Sequence, residues 1–389
     1  MTGNVAGADA VRPHVPGLKG CPEPLSEHYD AALLDLDGVV YLGGVPIPGA
    51  SDALAGAAKR GMKLAYVTNN ASRSPNAIAA QLTGMGVAAT AADIVTSAQA
   101  AAHVLADRLP AGAPVLVVGG TGLRLAVRER GLRPVTTAAD RPLAVVQGYS
   151  PGIGYGLLAE AAIALNAGAL FVASNADATL PTPRGPQPGN GSLVQVLVHA
   201  TGQEPIVAGK PEPPLHAESV QRVGAKRPLV VGDRLDTDIE GAVRGGADSL
   251  LVLTGVSKPA DVLLAGPQRR PSYLAADLSG LNSSHPEITR DATGADGGVS
   301  SASAFSCGGW TAAVAGGGPA GGDAAPGGPA GAAAAGDGDG WLTVSGSGAW
   351  MDGLRALCAA AWSAGPPAGN AEEQRRAAEA VLTAIDAAR

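Results

Sequence analysis

Leu33-Leu34-Asp35-Leu36-Asp37-Gly38 runs an apolar segment straight into two carboxylates two residues apart. Alternate residues of a strand share a face, but past a strand end a turn at glycine can set one carboxylate on each side of a reacting group. Val230-Val231-Gly232-Asp233-Arg234-Leu235-Asp236-Thr237-Asp238 has the same form and enters a helix. Acids in a first helical turn complement its dipole, which accounts for Asp236. Asp233 needs another reason: carboxylates gathered at neighbouring strand ends repel one another unless a cation lies between them. Two or three aspartate oxygens plus water are ligands that suit Mg²⁺. Thr68 closes the run Lys63–Thr68, and Lys210 lies in Gly209-Lys210-Pro211, where the proline stiffens the entry to the next helix. The chain order Asp-x-Asp, Thr, Lys, Asp suits a site that neutralises a phosphate group.

Such residues need a scaffold that brings strand ends together. From Tyr29 to about Ala275, short Val/Leu-rich runs alternate with Ala-rich segments of helical length, the pattern of βαβ units and a parallel sheet. Ala31–Asp35, Lys63–Thr68, Pro228–Val231 and Leu250–Leu253 read as buried strands, and the first three end in polar residues. Ligands of an open parallel sheet bind beyond the carboxyl ends of its strands. Further strand-like runs, Val115–Val118, Leu143–Gln147 and Leu170–Ala173, alternate with helical patterns at Ala98–Leu109 and Leu157–Ala167. The expected fold is therefore α/β: a Rossmann-like parallel-sheet core over residues 26–90 and 188–280, with an α/β domain over 91–187 inserted into it.

Residues 281–389 read as a small C-terminal α+β region. Within it, Gly316–Gly340 holds 11 Gly among 25 residues with no large apolar side chain, which predicts a flexible segment. Leu354, Leu357, Cys358 and Ala361 recur at helical spacing, as do Ala378, Val381, Leu382 and Ile385, and all four Trp lie at 310, 341, 350 and 362. The region is expected to fold as a separate unit, dispensable for chemistry at the strand ends. Val115-Leu-Val-Val-Gly119-Gly120-Thr121-Gly122 lacks the third glycine of a dinucleotide loop and reads as a strand-to-helix turn.

The ordered motifs, Asp35 to Gly38, Thr68, Lys210 and Gly232-Asp233 with Asp238, resemble those of the haloacid dehalogenase superfamily. The likeness covers about residues 29–275, and the insertion between the second and third motifs is similar to a C2-type cap. Asp-Gly-Val-Val-Tyr, Val-Thr-Asn-Asn-Ala and Gly-Lys-Pro look like the p-nitrophenylphosphatase-like branch. The stretch Ser174-Asn175-Ala176-Asp177, with Pro188-Gly189-Asn190-Gly191-Ser192, is similar to the glycerol-3-phosphate phosphatases of actinobacteria. The resemblance implies a magnesium-dependent phosphomonoester hydrolase working through an aspartyl-phosphate, with glycerol 3-phosphate as substrate and glycerol metabolism and phospholipid recycling as its setting. It implies Asp35 as nucleophile and Asp37 as acid and base. Mg²⁺ would be held by Asp35, the Asp37 carbonyl and Asp233, with Asp238 behind them. Phosphate would be bound by Lys210, Thr68 and N–H groups around Leu36, Asp37 and Asn69, and Asn175 and Asp177 would lie on a substrate loop. Alternatives are a nucleoside monophosphate, a sugar phosphate or an aryl phosphate as substrate, or a phosphate-binding regulator acting through the C-terminal region. That region resembles an N-acetyltransferase-like fold, although no Gln/Arg-x-x-Gly-x-Gly/Ala loop follows Asn282.

Composition narrows the partners. A net charge of -7 without a long basic run argues against nucleic acid and anionic membranes. Cys21, Cys307 and Cys358 form no CxxC pair, the six His show no metal-ligand spacing, and no signal-peptide or membrane-length apolar run occurs. A reduced, cytoplasmic chain that binds a small phosphate ester is expected, with self-association left open.

Overall fold

Ala31–Leu34 is apolar and buried at all four positions, as a strand covered on both faces must be. It lies at the centre of a six-stranded sheet ordered Tyr273–Ala275, Asp248–Val252, Pro228–Gly232, Ala31–Leu34, Lys63–Thr68, Ile94–Thr96, parallel throughout. The computed structural model describes residues 17–180, 182, 184–291, 304–315 and 341–387. The expected flexible segment Gly316–Gly340 lies outside the described residues.

A second parallel sheet is ordered Ile206–Val207, Leu170–Ala173, Ala144–Gln147, Pro114–Val118, Arg133–Val135. Two strands depart from the expected limits of the insert. Ile94–Thr96 pairs with the first sheet through Val67 and Val95, and Ile206–Val207 pairs with the second through Val172. Both are too short, at three and two residues, to show a period in the sequence. Residues 97–113 and 208–212 are thus the crossings between the sheets. One apolar cluster, including Leu33, Val67, Val95, Val115 and Val146, joins the two layers.

Gly119 and Gly120 form the strand-to-helix turn before helix Thr121–Glu129, whose second residue is Gly122. Gly122 is glycine for packing: a Cβ there would stand 2.6 Å from the Arg73 carbonyl oxygen and 2.8 Å from that of Ala71. The turn therefore rests on the loop that follows Thr68.

The C-terminal region pairs Thr289–Asp291, Ala304–Cys307, Trp310–Val314 and Leu342–Gly346 as an antiparallel sheet. Helices Trp350–Ala364 and Ala371–Ala387 complete it, with Leu354, Leu357, Cys358, Ala361, Ala378, Val381 and Ile385 buried. The structure corrects the expectation of a unit apart. These side chains share one apolar cluster with Leu235, Ile239, Leu251, Val262, Leu263 and Leu274 of the first layer. Trp362 Nε1 also donates to the Val262 carbonyl at 2.9 Å, Arg355 to the Leu274 carbonyl at 2.6 Å, and Arg375 pairs with Asp261 at 2.8 Å. Continuous apolar contact binds the region to the core, a property that helical spacing alone does not reveal.

Candidate active site

Leu34 pairs with Val231 on one side and Tyr66 on the other, so the three central strands end within two residues of one another, at Leu34, Gly232 and Thr68. Asp35 leaves the sheet there, its N–H still donating to the Val231 carbonyl at 2.8 Å, which fixes where its side chain departs. A π-helical turn, Leu235–Ile239, folds Asp238 back beneath Gly232, where a Cβ would lie 2.2 Å from that of Asp238. Lys210 arrives just before helix Pro213–Val223. Its Nζ donates to Asp35 Oδ1 at 2.5 Å, Asp238 Oδ1 at 2.7 Å and the Val67 carbonyl at 3.2 Å, which uses all three of its hydrogens.

Asp233 is completely buried. Its Oδ2 accepts the Val256 N–H at 2.7 Å, while Oδ1 has no hydrogen-bond partner among the described residues. Gly38 and Gly255 make room for it: a Cβ would fall 2.4 Å and 1.9 Å from Asp233 Oδ2, and Gly38 also has φ +90°. Asp35, Asp233 and Asp238 each present an oxygen within 4.8 Å of the others. Three carboxylates face one ammonium, so the cluster carries surplus negative charge. Burial, reinforced by Asp238 and Asp35, pushes the Asp233 carboxyl up to about 7. Burial also raises Asp238, against the pull of Lys210. Lys210 stays charged because Asp238 and Asp35 outweigh its own desolvation. An orphaned carboxylate oxygen within an all-oxygen donor set fits a hard divalent cation.

Asp37 stands apart from the Lys210 network. It is exposed, and one oxygen accepts the Gly43 N–H at 3.2 Å in the hairpin of Tyr41–Leu42 and Val45–Pro46. The N–H groups of Leu36 and Asp37 donate to nothing among the described residues and form a ready anion cradle. Thr68 accepts the Asn70 N–H at 3.1 Å, which leaves its own hydroxyl hydrogen to donate. The loop after Leu170–Ala173 reaches the same edge. Asp177 lies 3.2 Å from Asn69 Nδ2, and Asn175 Nδ2 donates to the Asn69 carbonyl at 2.7 Å.

Sequence reasoning passed over three contributors. Burial, reinforced by Asp37 and Asp35, pushes the hydroxyl of the half-buried Tyr41 up to about 12. Asn190 Nδ2 braces the insert's loop through the Asn175 carbonyl at 2.7 Å. Thr254-Gly255-Val256 holds Asp233, and Thr254 donates to the Gly38 carbonyl at 2.5 Å. It follows strand Asp248–Val252 as a fourth polar strand end, the same signal that marked the other three.

Known proteins resemble this chain in both sequence and fold. Residues 32–133 match the family model for haloacid dehalogenase-like hydrolases, and residues 207–281 a HAD-hydrolase-like model. Over 258 residues the chain is 52% identical to the D-glycerol 3-phosphate phosphatase of Mycobacterium tuberculosis, covering 66% of this chain and 72% of that one. The chain belongs to the haloacid dehalogenase-like hydrolases. A crystal structure of the M. tuberculosis glycerol phosphate phosphatase in complex with magnesium superposes with a TM-score of 0.74 and 43% identity, over 92% of this chain and 99% of that one. A p-nitrophenyl phosphatase from Archaeoglobus fulgidus gives a TM-score of 0.61 and 29% identity, over 65% and 98%. The protein is a phosphomonoester hydrolase whose substrate is a small phosphate ester. Among the described residues, no helix is long and apolar enough to cross a membrane.

Proposed function

We propose that the chain hydrolyses glycerol 3-phosphate to glycerol and phosphate through an aspartyl-phosphate on Asp35. The observation that carries this reading is the buried Asp35–Lys210–Asp238 bridge beside the partnerless Asp233 Oδ1. Lys210 holds Asp35 in place through its Oδ1, as an attacking carboxylate must be held. The phosphoryl oxygens are received by the Thr68 hydroxyl and the N–H groups of Leu36 and Asp37, donors arranged before the charge develops, while the Lys210 ammonium, bonded to Asp35, adds its positive charge beside them. Asp37 gives its proton to the departing alkoxide and takes one from the water that cleaves the acyl phosphate. Asp35, Asp233 and the Asp37 carbonyl would hold Mg²⁺, with Asp238 bracing the group through Lys210. Bound there, Mg²⁺ would neutralise charge on the transferring phosphoryl. The likeness to the mycobacterial glycerol phosphatase supports both the metal and the alcohol.

The unit of the second sheet acts as a cap over the strand ends, with Asn175 and Asp177 on the loop that meets them. A cap of this kind favours a compact alcohol and keeps water from the first step. The three cysteines are free and buried, which suits a reducing cytoplasm. Turnover of a panel of phosphomonoesters with Mg²⁺ tests the assignment: glycerol 3-phosphate should give the highest kcat/KM. A clear preference for nucleoside monophosphates, sugar phosphates or aryl phosphates would replace it.

A further inference from the structure

Asn69 follows the Thr68 strand end, where its backbone N–H is expected to face the phosphate. Its side chain is given to protein contacts. Oδ1 accepts the Lys210 N–H at 2.8 Å, and Nδ2 donates to the Lys210 carbonyl at 3.1 Å. One carboxamide thus grips both polar groups of one residue's backbone, as a neighbouring strand would. Nδ2 also donates to both oxygens of Asp177, at 3.2 and 3.3 Å. The backbone carbonyl of Asn69 receives Asn175 Nδ2 and Ser97 Oγ, each at 2.7 Å. The donor capacity of the amide is filled. Three separate segments, the Lys210 loop, the insert's Asn175–Asp177 loop and the start of helix Ser97–Ala106, converge on this residue.

Gly209 bears on this independently. Its backbone lies outside the positive-φ region, so conformation alone does not require glycine. A Cβ there would nevertheless stand 2.6 Å from Asn69 Oδ1 and 2.5 Å from the Ser174 carbonyl oxygen. The glycine of Gly209-Lys210-Pro211 is needed because the Asn69 carboxamide and the insert's loop occupy that space.

The geometry points to Asn69 as a positioning residue that sets Lys210 and the insert's loop in one register, with Asp177 acting through Asn69 rather than on the substrate. The inference rests on the phosphatase reading of Lys210 above. Its basis is the polarity of the pair: an amide N–H faces a carboxylate. That polarity can be reversed. Asn69→Asp sets two carboxylates against each other and loses the donor to the Lys210 carbonyl, while Asn69→Asp combined with Asp177→Asn again opposes one amide to one carboxylate and keeps the acceptor for the Lys210 N–H, so its recovery is partial.

The test measures kcat and KM with p-nitrophenyl phosphate and with glycerol 3-phosphate under saturating Mg²⁺, alongside melting temperature. Asn69→Asp should lower kcat by about 100-fold, the scale of a displaced catalytic group. Asp177→Asn should cost less, and the double variant should recover at least about tenfold over Asn69→Asp, a rescue that general destabilisation does not produce. Gly209→Ala should reproduce the kcat loss of Asn69→Asp. If Asn69→Asp fails to fold, restored folding and turnover in the double variant supports the pairing, and Gly209→Ala carries the kinetic test. Full activity in Asn69→Asp or Gly209→Ala would overturn the inference, as would a double variant no better than its worse parent. Absence of turnover by the unaltered chain on any phosphomonoester would instead refute the phosphatase reading, so the two failures are distinct.

Discussion

The strand-end cluster and the C-terminal region are both buried against the same sheet, and they are built on opposite terms. At the strand ends, Asp233 and Asp238 are almost wholly shielded from water, and one oxygen of Asp233 has no hydrogen-bond partner among the described residues. Such an arrangement opposes folding, and its value lies in chemistry. The C-terminal region buries Trp310, Leu354, Leu357, Ala360 and Ile385, which stabilises the fold without placing any group proposed for catalysis. The two meet in Leu235–Ile239. Asp238 of that turn holds Lys210, while Leu235 and Ile239 belong to the apolar cluster of the C-terminal helices. The difference teaches that one region spends stability to hold charge in place and the other supplies it, through an element common to both.

Three changes probe that contrast. The largest effect on chemistry is expected at the cluster. Asp35→Asn should abolish turnover, because an amide is neither a nucleophile nor a good metal ligand. Lys210→Met should abolish it too and lower stability by about 3–5 kcal/mol, since two buried carboxylates lose their counter-charge. Stopped assays and chemical melts check both. Activity in Asp35→Asn, with deamidation excluded by mass, would contradict the assignment.

The second change addresses the other region. Leu357→Ala should cost about 2–5 kcal/mol of stability yet leave kcat/KM of the folded enzyme within about threefold. A chain ending at Leu281 would bare the apolar surface of Leu235, Ile239, Val262 and Leu274 and should aggregate or melt early. A soluble, fully stable truncation would mean that this contact contributes little.

The smallest effect is a linkage at Asp233, whose carboxyl is pushed up to about 7. A folded value above the ordinary carboxylate range means that the metal-free fold holds a proton the unfolded chain has released, between about pH 4 and about pH 7. That stabilisation is complete below about pH 4 and is lost as pH rises through about 7. Mg²⁺ would take the place of the proton. The gain in melting temperature on adding Mg²⁺ should therefore be small near about pH 5 and widen toward about pH 8. A gain that stays constant or shrinks with pH would remove Asp233 from the metal site.

The convergence of Asp35, Lys210, Asp233 and Asp238 was legible in the sequence because each lies at a polar strand end or loop whose flanking Gly and Pro restrict the backbone. The short strands Ile94–Thr96 and Ile206–Val207 were not, since pairing partners rather than their own composition make them strands. Ala304–Cys307, reading Ala-Phe-Ser-Cys, gives no clear alternation, and its strand is defined by pairing with Trp310–Val314. Asn69 was legible as the residue after the Thr68 strand end but not in its contacts, because a side chain that clasps a backbone 141 positions away leaves no local signature. The docking of the C-terminal helices was hidden for a similar reason: their helical spacing marks an apolar face without naming the surface that covers it.

The central claim is that Asp35 becomes phosphorylated, and trapping that bond tests it most directly. The enzyme would be mixed with glycerol 3-phosphate and Mg²⁺, quenched in acid within the first turnover, reduced with borohydride and digested for peptide mass. An acyl phosphate is reduced to the alcohol, so the account predicts homoserine at position 35 in the unaltered enzyme and none in Asp35→Asn. Released phosphate with the Asp35 peptide unchanged, or reduction at another carboxylate, would contradict it.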